Sequence, residues 1–371
     1  MKQILLIAIF LSTFTNVFCQ AIEKKLTKHF EKNIAELNRY GGLTIYGETK
    51  KEIPQTQINT ELELFEEVKK SSVLANPNNE VFALCHNLQI HSPEKGKELL
   101  KLLNKPTKNK EIIKNLFTEI NFTGEFGEQL AIENLDSTNS DWKKIWSIYL
   151  SKNAIYDSSI PNIEKHISNT KDVEIQTNLI SSLMYISNLN SVNFIKQIIE
   201  TTKNDEIQTK AIFCFTELSG FNGLNYLEKI KSIGKKSNEE LKSSIEWLKT
   251  DTNAQKIYGT EVSNDNDFIM RFGDIKSPAM DWLEEEGLLK EEIPVNSIIL
   301  SKEKKDKLIE LLIKSKGFGL EAIKGTLFLS IEKDDLNKFI LLRTLCFYSP
   351  NSLTNDRLNT LGIIIRYLKR K

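Results

Sequence analysis

Residues able to do chemistry are few in this chain and widely scattered. It has four histidines, His29, His86, His91 and His166. No two stand at the i, i+4 spacing that aims two rings from one helix face at a metal ion, and there is no Cys-x-x-Cys pair. His86 beside Cys85 comes nearest to a ligand pair. Adjacent helical residues project about 100° apart, however, so His86 reads as a partly buried or surface side chain. Asp265 and Asp267 resemble the opening of a calcium loop, but the positions that need glycine and glutamate hold Met270 and Lys276. Glu284, Glu285 and Glu286 read as a solvated helix face. Gly317-x-Gly319 lacks the third glycine and the preceding strand of a dinucleotide fingerprint. No nucleophile elbow and no Walker loop occurs. Arg366, Lys369, Arg370 and Lys371 put positive charge at the chain end, where it suits the negative pole of a helix. The expectation is a chain with no catalytic residue, no metal and no cofactor.

The N-terminus carries an address. Lys2 precedes an unbroken apolar run from Ile4 to Leu11, and Val17 and Cys19 occupy the −3 and −1 positions of a cleavage before Gln20. This is the layout of a secretory signal peptide. The run is too short for a membrane span, which needs about 20 apolar residues. A lipid anchor at Cys19 is not expected, because Phe18 and Asn16 fit neither the small nor the aliphatic position of a lipoprotein signal. Residues 1–19 are thus expected to be removed, and the chain to be exported to the periplasm or secreted. Cys85, Cys214 and Cys346 remain, each in an apolar stretch such as Phe213-Cys214-Phe215. They read as small buried hydrophobes.

Fifty basic residues balance fifty acidic ones, for a formal net charge of +0. Nucleic-acid binding, which usually needs a basic excess on some face, loses ground. Eight prolines and 16 glycines in 371 residues leave few helix breakers.

The elements that must position any site repeat. Residues 171–198 and 203–230 match at an offset of 32, with ten identities in 28 positions, among them Gln176/Gln208, Thr177/Thr209, Ser187/Ser219 and Asn190/Asn222. Apolar positions stay apolar, as in Leu183/Phe215, Leu189/Phe221 and Phe194/Tyr226. Each unit reads as two helices. Ile175, Leu179, Leu183 and Ile186 form the stripe of the first, Asn188 to Ser191 the break, and Val192, Ile195 and Ile199 the stripe of the second. The paired unit breaks at Gly220 to Gly223. First-helix onsets are expected near Glu80, Glu111, Asp141, Asp172, Asp205 and Glu239, at intervals of 31, 30, 31, 33 and 34. An acidic residue at each onset suits the positive helix end. Ser92-Pro93 reads as the cap and first turn of a second helix.

In this period and pattern the chain resembles the HEAT-like helical-repeat family in its short form, over roughly residues 77–250. The resemblance implies an all-α fold: a right-handed α-solenoid of stacked helix pairs with helical caps, of the kind generally used for protein contacts. The expected organisation is a signal peptide (1–19), an N-terminal helical cap (20–76), the repeat array (77–250), an irregular insertion with a short helix (251–300) and C-terminal helical pairs with a closing cap (301–371). Within the cap, one amphipathic helix is expected over 21–38 and another from Glu61. The expected function is a non-catalytic scaffold for an unidentified protein partner. The alternative is an enzyme or ligand-binding protein with a pocket at the insertion, where Arg271, Asp274 and Trp282 are the residues to test.

Overall fold

The computed structural model describes residues 20–31, 55–250, 277–288, 298–315, 317, 319–346 and 354–371. Among them every regular element is helical. The chain divides into two compact units, residues 1–130 and 131–371. Unit 1 holds α1 (20–31), α2 (Gln55–Lys69), α3 (Asn79–His91), α4 (Pro93–Leu103) and α5 (Lys110–Phe122). Helix α6 (Glu125–Glu133) runs across the division. Unit 2 begins with α7 (Ser140–Asn153), α8 (Ile160–Asn169), α9 (Val173–Ile186), α10 (Ser191–Thr201), α11 (Asp205–Ser219), α12 (Leu224–Leu227) and α13 (Lys235–Thr250). Helix α2 starts at Gln55, six residues before the expected onset, and residues 32–38 of the expected first helix lie outside the described residues.

The repeat is marked at its helix starts. Asn78, Asn109, Asn139, Asp172 and Asn204 cap α3, α5, α7, α9 and α11, each side-chain oxygen accepting a first-turn N–H. Four first-turn N–H groups of any helix lack intrahelical partners, and such a cap satisfies one or two of them. At four of the five caps a hydroxyl two residues earlier (Thr107, Ser137, Thr170, Thr202) accepts the cap residue's own N–H. The acidic residues expected at the onsets therefore do different work. Glu80, Glu111 and Asp141 lie inside the first turn, while Asp172 is itself the cap. Glu239 falls within α13, whose start is capped from the preceding unit. Asp205 accepts the N–H groups of Lys236 at 3.0 Å and Ser237 at 2.9 Å. Hydrogen bonds from Ser237 and the Lys236 backbone hold the Asp205 carboxyl below the usual carboxylate range. Gly234 makes the approach possible, since a Cβ there would lie 2.3 Å from the Asp205 carboxyl carbon. Ser92 departs from the expectation too: its hydroxyl makes no capping bond to α4.

In unit 2 the first helices pack in a row, α7 on α9, α9 on α11, α11 on α13, with α8 against α9 and α10 against α11. Position in this row sets the width of the buried face. Helix α9 has neighbours on both sides and buries Ile175, Thr177, Leu179, Ile180, Ser182, Leu183 and Ile186; the flanking α10 buries only Ser191, Ile195 and Ile199. The identical Gln176 and Gln208 do the same work one unit apart. Gln176 donates from Nε2 to the carbonyls of Ile167 and Thr170. Gln208 donates to those of Ile199 and Lys231, and its Oε1 accepts the Ile233 N–H. Each glutamine thereby ties a first helix to the end of the second helix before it.

The C-terminal helices are α14 (Pro278–Glu285), α15 (Lys302–Lys314), α16 (Leu320–Ser330), α17 (Leu336–Cys346) and α18 (Thr354–Arg370). Helix α14, expected as part of an insertion, contributes Ala279 and Leu283 to the same core as Leu308, Leu312, Leu327, Phe339, Leu361 and Leu368. This group of helices meets the row at α9, on which α18 packs.

Gln208 is 1% exposed. Removing it strands two carbonyls and an N–H, and each buried group left without a partner costs about 1–3 kcal/mol. Gln208→Ala is expected to lower unfolding stability by at least about 3 kcal/mol and Gln176→Ala, only half-buried, by less. Denaturant titration of both variants checks the order.

Candidate functional site

The residues with chemical potential gather in unit 1, around two buried carboxylates. Glu61 lies on the apolar stripe of α2, in register with Leu64, Phe65 and Val68, and its side chain is fully buried. Its Oε1 accepts from His29 Nε2 at 2.9 Å, Asn87 Nδ2 at 2.8 Å and Gln57 Nε2 at 3.1 Å, and its Oε2 accepts from His91 Nε2 at 2.5 Å. Burial alone would push this carboxyl up. The hydrogen bonds from His29, His91, Asn87 and Gln57 outweigh it and hold the group below the usual carboxylate range. On its other side His91 presents Nδ1 to the Ser92 hydroxyl at 3.3 Å, completing a hydroxyl–imidazole–carboxylate relay.

Glu119, on the buried stripe of α5 with Leu116 and Ile120, anchors the second network. It accepts from Gln89 Nε2 at 2.8 Å and lies 3.4 Å from His86 Nδ1. The His86 ring stacks on Phe122, with centroids 5.0 Å apart. Cys85 lies below this network and donates to the Gly96 carbonyl. Burial first, then the Glu119 charge, push its thiol well up and disfavour the thiolate. Cys214 and Cys346 are buried as well. Among the described residues no group of three or more His, Cys, Asp or Glu side chains is arranged to hold a metal ion.

Of the residues singled out from the sequence, those that are described lie in separate places. Cys19, Asp265, Asp267, Arg271 and Asp274 lie outside the described residues; Gln20 opens α1 and is exposed. Trp282 packs half-buried against the C-terminal core. Glu284 and Glu285 are exposed, and Glu286 pairs with Lys304 at 2.9 Å. His166 lies 3.8 Å from Asp136, and burial pushes its imidazole down. Sequence reading missed Glu61 and Glu119, though each had a visible signal: a carboxylate at helical spacing within an apolar stripe.

In unit 2 the distinctive surface is a recurring one. Leu189 and Phe221, equivalent residues of successive units, are 56% and 49% exposed. Each lies in the turn between the helices of its pair, 17 residues after its cap. Tyr156 holds the same position after Asn139 and is half-buried. On the first helices themselves, Ile148 and Phe213 share a second equivalent position and are 40% and 38% exposed.

No protein-family model, curated protein or solved structure matches this chain.

Glu61→Ala leaves two histidines and two amides without their acceptor and is expected to cost roughly 3–5 kcal/mol. The pH dependence follows from the lowered folded value. The stabilisation from ionised Glu61 is fully present above its unfolded pKa and is lost as pH falls through the folded one. Acid titration of unfolding stability should show that loss in the native chain, and a smaller one in Glu61→Gln.

Proposed function

We propose that the chain is an exported helical-repeat scaffold that binds another protein without catalysing a reaction, and that α7–α13 form a short right-handed HEAT-like solenoid. The observation that carries this reading is the recurrence of exposed apolar side chains in register with the repeat. Isolated exposed apolar residues are ordinary on any protein surface. Leu189 and Phe221 instead occupy one position of successive units, and Ile148 and Phe213 share another in alternate units, with Ser181 between them. Packed helices stand about 8–10 Å apart, so equivalent residues of neighbouring units form a strip suited to the apolar side chains of a protein segment. The paired packing of α7 to α13 supports the solenoid, and the charge balance favours a protein over a polyanion. The buried carboxylates fit a scaffold because Glu61 joins α1, α2 and α3 and Glu119 joins α3 to α5.

A second reading, hydrolysis, rests on the Ser92–His91–Glu61 relay, which orients an imidazole lone pair at a hydroxyl. A fluorophosphonate probe that labelled Ser92, and failed on Ser92→Ala, would favour that reading over the scaffold.

Under the scaffold reading, Leu189→Asp with Phe221→Asp is expected to change stability by no more than about 0.5 kcal/mol. The same double variant should reduce capture of its partner by at least about tenfold, the scale of a lost anchor pair. Chemical cross-linking in native extract, read by mass spectrometry for native and variant chains side by side, makes the comparison. An unchanged capture profile would remove this strip as the binding surface.

A further inference from the structure

Lys369 near the end of α18 is 7% exposed. An ammonium group has three protons to donate, and here all three are used. They go to the carbonyl of Ile155, to Asp157 Oδ1 at 2.8 Å and to the carbonyl of Ile186 at 3.0 Å. Ile186 is the last residue of α9, where an unsatisfied carbonyl and the negative helix pole coincide. Ser187, at φ 60°, turns the chain aside in the left-handed conformation just beyond it. Two more cations meet the same helix ends. Arg343 Nη2 donates to Asn153, the last residue of α7, at 3.4 Å. The Arg366 guanidinium lies 5.4 Å from the Tyr185 ring centroid. The apolar cluster of the C-terminal helices, meanwhile, draws its buried members from residues 279–368. The C-terminal helices thus have a core of their own and meet the row through three cations placed on the negative ends of α7 and α9.

Those contacts flank the first position of the apolar strip and stop short of the second. Tyr156 lies between two of Lys369's acceptors, Ile155 and Asp157, and Leu189 is three residues beyond the third. Tyr156 is half-buried where its equivalents Leu189 and Phe221 are exposed. We propose that the C-terminal helices are a tethered occupant of the strip's first position, latched by Lys369, and that a partner engaging Tyr156, Leu189 and Phe221 together must first release the latch. The proposal rests on the scaffold reading for what competes, while the latch itself can be measured without a partner.

The test is hydrogen–deuterium exchange on the full chain over residues 154–158 and 185–190, in native protein, Lys369→Met and Asp157→Asn. Lys369→Met keeps most of the apolar stem and removes all three donors, and exchange in both segments should accelerate by about tenfold or more. Asp157→Asn alters one exposed acceptor, cannot unfold a core, and should give a smaller acceleration in the same segments. Cross-linking capture by Lys369→Met should rise, and that rise should vanish when Leu189→Asp and Phe221→Asp are added. Exchange unchanged in both latch variants would overturn the latch even if the strip variants still abolished capture. Accelerated exchange with capture unaffected by the strip variants would leave the latch standing and sink the binding strip.

Discussion

A helix leaves backbone donors bare at one end and acceptors at the other, and a chain built of short helices must satisfy both every dozen or so residues. Much of what distinguishes this fold answers that constraint. Asn78, Asn109, Asn139, Asp172 and Asn204 close the donor ends from within their own turns. Gln176, Gln208 and Lys369 close acceptor ends from elsewhere, and in doing so fasten one element to another. Apolar packing supplies most of the cohesion between helices but is not directional. The polar terminations choose which helix end meets which neighbour.

This division explains what could be read from the residues. Helix identity and phase were legible, since Ile175, Leu179, Leu183 and Ile186 advertise one face at the right spacing. The period was legible because Gln176/Gln208 and the residues around them repeat with their partners. The first five helix starts were legible to within one residue, with Asp205 itself opening α11; the capping residues were less so, because acidic side chains of the first turn mimic the caps that precede them. Glu239 was misplaced for a stronger reason: the cap of α13 comes from Asp205, 31 residues before Lys236, and no local pattern encodes it. The return of α18 to α9 was invisible for the same reason, since Lys369 finds its acceptors 183 to 214 residues away.

The candidate site shows a similar limit. His29 and His91 were noticed and set aside for lack of a ligand spacing. What joins them is a carboxylate on a third helix, reached across 32 and 30 residues. A lone histidine carries no signal of such a partner. The carboxylate did carry one, because a charge at stripe spacing with Leu64, Phe65 and Val68 must either be paired or neutralised. Buried acids on apolar stripes are therefore better guides to hidden polar centres in helical chains than the histidines they hold.

The capping of α13 by Asp205 also has a bearing on assembly. A helix that supplies its own cap can form as soon as it is synthesised, but α13 finds acceptors for the Lys236 and Ser237 amides only once the start of α11 is in place. For this helix the dependence runs in the order of synthesis, from α11 to α13. Growth of the row from its N-terminal side would then present the arriving α13 with a cap already in place.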